Sequence, residues 1–141
     1  MSEKVYVSIL KWGVAASMLS MFFVFKNLLF PYISSKQISF NLIIELLLIF
    51  WVALIVKYPQ YRPKKSLISF GLLAYFAVLV VSCFTGVDFN LSFWGDVERM
   101  LGVFHLLHFL ALYFIIITVF RTREDWKWFF IYLVTLASFV S

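Results

Sequence analysis

The sequence predicts an all-α protein, a polytopic bundle of transmembrane helices. Of its 141 residues, 64% are hydrophobic and 13% are charged, whereas soluble domains have roughly 45–50% apolar and about 25% charged residues. The mean hydropathy is +0.98. The apolar residues form runs that match the length of about 20 residues needed for a helix to cross a bilayer. These observations exclude an ordinary soluble domain and predict the lipid bilayer as the surroundings of most of the chain.

Four apolar runs are long enough to span a membrane. They cover residues 12–30, 37–56, 66–87 and 100–120. Formal charges within them are confined to Lys26 in the first run and Glu45 in the second. Lys26 lies one turn from the end of its run, where a long side chain can place its ammonium group among the lipid headgroups. We therefore expect four complete spans.

A fifth apolar run covers residues 128–141 and is shorter than a full span. The sequence contains no internal repeat and no stretch typical of a soluble domain. We therefore expect residues 1–141 to form a single transmembrane region, with the fifth span incomplete. This pattern predicts the N-terminal part of a larger membrane protein.

The basic residues predict the orientation of the chain. The chain has a net charge of +5, but its basic residues flank apolar runs, a distribution that indicates membrane orientation rather than nucleic-acid binding. With the N-terminus in the cytoplasm, nine basic residues fall on the cytoplasmic side and three on the outer side. The opposite orientation reverses this ratio. The sequence thus predicts a cytoplasmic N-terminus and an outward-facing segment 87–99.

Glu45 is a carboxylate near the middle of the second predicted span. A charged side chain at that depth costs about 2.5–3.5 kcal/mol on insertion scales, so it must face protein or water. One interpretation is a carboxylate that couples proton movement or contacts a substrate. The other is a protonated packing contact that is hydrogen-bonded within the bundle. The sequence offers no basic residue at a comparable depth.

A polar stripe is predicted at the start of the fourth span. If a helix begins within residues 94–97, Glu98, Gly102 and His105 follow at helical spacing, and His108 lies one turn further along the same side. Polar side chains in a membrane helix usually face the interior of the bundle, and Gly102 allows close approach of another helix or a lipid chain. The stripe is therefore a candidate lining for a lipid-linked substrate.

Arg99 and Trp94 lie at the predicted outer membrane surface beside this stripe. The planar donor fork of Arg99 suits phosphate or pyrophosphate, and Trp94 can stack on a sugar or anchor in the headgroups. A local ion pair with Glu98 or Asp96 is the alternative role for Arg99. The candidate substrate-binding residues are Trp94, Glu98, Arg99, His105 and His108.

The sequence predicts no metal, no cofactor and no catalytic residue. His105 and His108 supply at most two metal ligands, and Cys83 is the single cysteine. There is no glycine-rich phosphate loop, nucleophile elbow or zinc-protease motif. We therefore expect the chain by itself to be inactive, which leaves open whether a longer protein containing it is an enzyme.

The order of these features resembles the amino-terminal part of the bacterial O-antigen ligase and polymerase family. Its most specific portion is the pattern Phe93-Trp94, Glu98-Arg99-Met100, Gly102 and Leu107-His108. The other similar positions, in chain order, are Pro31-Tyr32 with Lys36, Glu45, the segment 58–66, the segment 84–88, Ser92, the segment 119–123 and Asp125-Trp126. The resemblance covers nearly the whole chain.

The resemblance implies a multi-pass glycosyltransferase of the bacterial inner membrane that acts in lipopolysaccharide or polysaccharide biosynthesis. Such enzymes move a glycan from an undecaprenyl-pyrophosphate carrier to a lipid or glycan acceptor at the outer face, without a nucleotide sugar or metal. The family's proposed catalytic arginines and histidine belong to a later region. The alternatives are a fragment of a proton-coupled transporter or flippase, in which Glu45 carries the proton, and a non-enzymatic membrane scaffold.

Overall fold

The computed structural model describes residues 2–26, 30–96 and 99–140, with the side chain of residue 140 left out. This part of the chain is helical and contains no β-strand. The α-helices are α1 (Glu3–Leu19), α2 (Pro31–Lys57), α3 (Leu67–Thr85), α4 (Phe89–Trp94), α5 (Val103–Val119) and α6 (Arg123–Val140). Short 3₁₀ turns follow α1 at Ser20–Phe22 and α2 at Pro59–Tyr61. The all-α prediction is confirmed.

Three helical segments are long and apolar enough to cross a membrane: α1 with its 3₁₀ turn, α2 and α3. The helix α5 is also apolar but has only 17 residues. Large apolar side chains are exposed along α3, namely Leu67, Ile68, Phe70, Leu73, Val78, Val81 and Phe84. A surface of this kind is unfavourable in water and natural in lipid. The chain is therefore a helical protein suited to a membrane, with three helices of spanning length among the described residues and a shorter fourth.

The first two helices begin earlier than the sequence predicts. The first span is expected over 12–30, whereas α1 covers Glu3–Leu19, because Lys11 is accommodated in the helix by an ion pair with Asp125. The second span is expected from residue 37, whereas α2 begins at Pro31. Proline is favoured in the first turn of a helix, where its missing N–H has no intrahelical partner. The third helix agrees closely with the predicted range 66–87.

The core of the bundle lies between α1, α2 and α5. The fully buried apolar side chains at its centre are Leu10, Val14, Ile44, Leu54 and Ile115. The helix α3 packs against α4 and α5 at one side, and α6 lies against α1, where the Tyr132 hydroxyl donates to the Ala15 carbonyl at 2.8 Å. This arrangement leaves α2 and α5 in direct contact along much of their length.

The contact between α1 and α2 depends on Gly13. A Cβ atom at this position would lie 2.1 Å from Cδ2 of Leu47, which is buried. We expect Gly13→Ala to lower the free energy of unfolding by about 1 kcal/mol, because the buried Leu47 must move. The matched control is Gly71→Ala on α3, where a Cβ atom meets nothing within 4 Å. Unfolding by sodium dodecyl sulfate in mixed micelles measures both, and equal effects would contradict the close packing.

Most of the basic residues lie at one end of the bundle. Glu3 at the start of α1 accepts hydrogen bonds from Tyr61 Oη at 2.6 Å and Gln60 Nε2 at 3.0 Å. The guanidinium of Arg121 lies 4.7 Å from the centre of the Tyr61 ring. These contacts bring the start of α1, the α2–α3 connection and the α5–α6 connection together. The basic residues on these segments are Lys4, Lys11, Lys57, Arg62, Lys64, Lys65, Arg121, Arg123 and Lys127, and we call this the basic end.

Asp125 joins α6 to α1 near the basic end. It pairs with Lys11, and its Oδ2 accepts the backbone N–H of Thr122 at 3.2 Å, while its own N–H donates to Thr122 Oγ1 at 3.2 Å. This reciprocal capping starts α6. Burial raises the pKa of Asp125, but the hydrogen bonds from Lys11 and Thr122 and the charge of Lys11 outweigh it and lower the pKa from 3.8 to about 2.

The lowered pKa of Asp125 predicts a loss of stability in acid. Because the folded-state pKa lies below the unfolded value, the contribution is fully present above about pH 4 and is lost as the pH falls toward 2. Thermal unfolding in non-ionic detergent across this range measures it. We expect Asp125→Asn to be less stable than the wild type at neutral pH, with the difference shrinking below pH 4. A difference that stays constant with pH would contradict this role.

Candidate functional site

Polar side chains connect α2 and α5 in the half of the bundle away from the basic end. Both helices end at the basic end, so they run parallel. Asn41 Oδ1 lies 2.7 Å from His105 Nδ1. One turn further along both helices, Glu45 Oε1 lies 3.3 Å from His108 Nε2. The spacings of four residues on α2 and three on α5 place these two pairs on facing sides of the helices.

The Glu45–His108 contact holds one proton. His108 Nδ1 lies 2.8 Å from the Phe104 carbonyl oxygen, and because a carbonyl can only accept, Nδ1 carries a hydrogen. The remaining contact between Nε2 and Oε1 then contains a proton that resides either on the carboxyl or on the imidazole. The pair is therefore either two neutral groups or an ion pair. This geometry supplies Glu45 with the partner at its depth that the sequence does not reveal.

The two partners differ in exposure. The His108 side chain is 7% exposed, whereas the Glu45 side chain is 49% exposed. His108 is therefore enclosed by the helices, and Glu45 is open on one side of the bundle. A group that approaches this side can reach the Glu45 carboxyl without displacing the histidine.

A cavity of about 190 Å³ lies on the open side of Glu45, between α2, the end of α4 and the start of α5. We call it the α2–α5 groove. Its lining residues are Ile38, Asn41, Leu42, Glu45, Trp94, Met100 and Phe104. Most of this lining is apolar, with one amide and one carboxyl group on the α2 side. Such a site suits an amphiphilic ligand that has an apolar part and a few hydrogen-bonding groups.

The chain turns sharply between α4 and α5. The Asp88 carboxylate accepts the Leu91 N–H at 3.1 Å and caps the start of α4. At its end, Gly95 has a φ of +83° and Met100 has a φ of +49°, both in the left-handed region that a continuous helix does not visit. Gly102 is the N-cap of α5. The expected helix start within residues 94–97 is therefore wrong, and α5 begins at Val103.

Gly102 brings two backbone segments together. A Cβ atom at Gly102 would lie 2.2 Å from the Phe93 carbonyl oxygen and 2.4 Å from the Gly95 nitrogen. The close approach that the sequence predicts at Gly102 is thus to the chain's own backbone at the end of α4. This contact sets the positions of Trp94 and Met100 on the wall of the groove.

The structure separates the predicted substrate-binding residues into groups. His105 and His108 are buried and face α2, while Trp94 lines the groove. Arg99 is exposed, and its backbone N–H donates to the Asp96 carbonyl at 3.2 Å. Glu98 lies outside the described residues. Of the predicted stripe, His105 and His108 lie on α5 and Gly102 is its N-cap. Trp94 and Arg99, predicted beside the stripe, precede α5.

Asn41 is not among the residues that the sequence predicts for the site. Its amide pairs with His105 and lines the groove, and a signal was present because it lies one turn before Glu45 on the same side of α2. A third polar contact between α2 and α5, from Trp51 Nε1 to Thr118 Oγ1 at 3.1 Å, lies closer to the basic end. It joins the helices away from the groove.

Comparisons with protein-family models, curated proteins and solved structures found no match to this chain. The part of the chain that the structure describes holds no group of three histidine, cysteine or acidic residues close enough to bind a metal. The groove offers apolar contact, hydrogen bonding by Asn41 and Glu45, and a proton that Glu45 shares with His108.

Proposed function

We propose that this chain is the membrane portion of a glycosyltransferase of the O-antigen ligase type. Its substrate would be a glycan carried on undecaprenyl pyrophosphate, and its acceptor a lipid or another glycan. The observation that carries the proposal is the α2–α5 groove, where an apolar wall adjoins Trp94 and the polar groups of Asn41 and Glu45. A lipid-linked glycan has the matching combination of an apolar chain and hydrogen-bonding head. The resemblance in sequence around Trp94 and Arg99 supports the same class.

The proposed orientation puts the groove at the outer face of the bacterial inner membrane. The basic end carries nine of the twelve basic residues, and cytoplasmic loops are enriched in lysine and arginine. The turn between α4 and α5 is at the opposite end of α5 from this surface. In this proposal α5 serves as the fourth span, and α6 begins the fifth.

Arg99 is the proposed contact for the pyrophosphate of the carrier. Its exposed guanidinium is next in sequence to Met100, which lines the groove. A planar fork of N–H donors pairs with phosphate oxygens in a bidentate manner. Trp94 provides a ring for stacking on a sugar or on the isoprenoid chain. His105 and His108 hold α2 and α5 in place beside the site, and no residue of this chain is assigned a catalytic role.

Glycan transfer by the complete protein tests this assignment. We expect Arg99→Ala to reduce transfer by about tenfold or more at equal expression, because a charge-assisted hydrogen bond contributes about 1.5–3 kcal/mol. Arg99→Lys retains the charge but not the planar fork of donors, so its rate of transfer should lie between those of the wild type and Arg99→Ala. The matched control is Lys36→Ala, an exposed cation near the start of α2. Normal transfer by Arg99→Ala would remove Arg99 from the site.

A proton-coupled transporter is the second candidate, and the Glu45–His108 contact favours it specifically. In that case Glu45 would gain and lose its proton during transport. Proton uptake by the complete protein in liposomes separates the two functions. Glu45→Gln would abolish proton-driven uptake by a transporter, whereas a glycosyltransferase would show no proton flux in either form.

A further inference from the structure

A second cavity lies at the basic end, remote from the α2–α5 groove. Its volume is about 320 Å³. It is lined by Lys64, Ser66, Tyr113, Ile117, Phe120 and Arg121. The α2–α3 connection and the start of α3 form one side, and the end of α5 forms the other. The cavity thus combines two cations and two hydroxyl groups with two apolar side chains.

The Arg121 guanidinium is held in position at this cavity. Its Nε donates to the Thr118 carbonyl at 2.9 Å, and its Cζ lies 4.7 Å from the centre of the Tyr61 ring. The Tyr61 hydroxyl donates to Glu3 Oε1 at 2.6 Å. Neither Arg121 nor Lys64 forms a salt bridge with a carboxylate within the described ranges 2–26, 30–96 and 99–140. The terminal N–H groups of Arg121 and the ammonium of Lys64 are therefore suited to an external anion.

A chain of hydroxyl groups supplies a neutral donor. Ser66 Oγ lies 2.9 Å from Ser69 Oγ, which lies 3.0 Å from Tyr113 Oη. Three hydroxyl hydrogens serve two contacts, so one hydrogen remains. Ser69 is buried, and Ser66 also accepts the Ser69 N–H at 3.1 Å. The remaining hydroxyl hydrogen is therefore available for donation to a ligand from Ser66 or from Tyr113. Both of these residues line the cavity.

We propose that this cavity binds a phosphate group, specifically the headgroup of an anionic phospholipid. Lys64 and Arg121 neutralise the phosphate, and the spare hydroxyl hydrogen donates to one of its oxygens. Ile117 and Phe120 provide an apolar wall for the glycerol and the first carbons of an acyl chain. A soluble phosphate compound has the same anionic group but no apolar part that would contact this wall. The site is separate from the proposed glycan site and does not depend on it.

Lipid retention tests the site directly. The full chain is placed in phosphatidylcholine nanodiscs with a minor fraction of phosphatidylglycerol, and native mass spectrometry counts the phosphatidylglycerol that stays bound. We expect Lys64→Ala to weaken retention about fivefold, since Lys64 lines the cavity and a basic side chain beside an anionic headgroup contributes about that factor. Lys64 is exposed, so this variant is expected to fold. The control is Lys65→Ala, which removes the neighbouring cation that does not line the cavity.

Inorganic phosphate distinguishes the two sources of the anion. Binding is measured by calorimetry in nanodiscs of phosphatidylcholine alone. Lys64-dependent retention of phosphatidylglycerol without binding of inorganic phosphate supports the lipid headgroup. If inorganic phosphate binds in a Lys64-dependent manner but phosphatidylglycerol is not retained, the cavity is an anion site and the assignment to a lipid headgroup is overturned. Equal losses in Lys64→Ala and Lys65→Ala, or no loss in either, overturn the site.

Discussion

Replacing His108 with leucine is expected to lower the free energy of unfolding by about 1–3 kcal/mol, one of the largest effects of a single substitution in this chain. The side chain is 7% exposed and contacts both the Phe104 carbonyl and the Glu45 carboxyl. Leucine removes both contacts and leaves Glu45 without its partner among the helices. The measurement is unfolding by sodium dodecyl sulfate in mixed micelles, followed by circular dichroism.

A double-mutant cycle isolates the Glu45–His108 contact from general packing effects. We expect Glu45→Leu and His108→Leu together to cost less than the sum of the single substitutions, with a coupling energy of about 0.5–2 kcal/mol. The control cycle combines Glu45→Leu with Thr135→Ala on α6, where the hydroxyl bonds only within its own helix. That cycle should be additive. Additivity of the Glu45 and His108 substitutions would mean that the two groups do not interact.

The second large effect is expected for Gly102→Ala, which should destabilise the protein by about 3 kcal/mol. The added methyl group would lie 2.2 Å from the Phe93 carbonyl oxygen, a backbone atom that cannot rotate away. Relief requires α4 to move from the start of α5, and overpacking of this kind costs about 1–3 kcal/mol or more. Unfolding in mixed micelles gives the stability, and protease cleavage between α4 and α5 reports the opening of the turn.

Gly71→Ala is the matched control for this prediction, because it adds the same methyl group to open space on α3. It should be neutral or stabilising by up to about 1 kcal/mol, the usual difference between alanine and glycine in a helix. If Gly102→Ala is as stable as Gly71→Ala and its turn stays protected, the close approach of α4 and α5 is not a feature of the protein in solution.

The helical membrane character is predictable from composition, because uninterrupted apolar runs have few alternatives in lipid. The third helix illustrates this: its predicted range, 66–87, differs little from Leu67–Thr85. Its apolar run carries no charge and is bounded by Ser66, whose side chain accepts the Ser69 N–H. Local chemistry is sufficient to predict where α3 begins.

The beginnings of α1 and α5 were less predictable, for two different physical reasons. In α1, Lys11 marks the end of a loop when only hydropathy is considered, but Asp125, distant in sequence, pairs with it. Before α5, the helical spacing of the polar residues continues through Gly95 and Met100, although the positive φ angles of these two residues interrupt the helical backbone. Such interruptions depend on tertiary packing, which periodicity does not report.

The groove itself could be predicted only in part. Of its lining residues, Trp94 and Glu45 are recognisable from the sequence as an aromatic group near a membrane surface and a polar group within a span. Their assembly depends on α2 and α5 running parallel in contact, a property of the whole bundle. This is why the pairing of Asn41 with His105 and of Glu45 with His108 emerges only from the structure.

In the proposed function, the α2–α5 groove holds the carrier lipid of a glycan substrate. The most direct test introduces the photoreactive residue benzoylphenylalanine in place of Leu42, which is exposed in the groove. The control replaces Val81, which is similarly exposed on α3 and lies at about the same distance, roughly 21 Å, from the basic end. The complete protein in membranes is then irradiated with a radiolabelled glycan on undecaprenyl pyrophosphate.

We expect strong labelling from position 42, weak labelling from position 81, and loss of the position 42 signal when unlabelled carrier competes. Equal labelling from the two positions, or labelling from position 42 that unlabelled carrier does not reduce, would contradict a carrier-binding role for the groove.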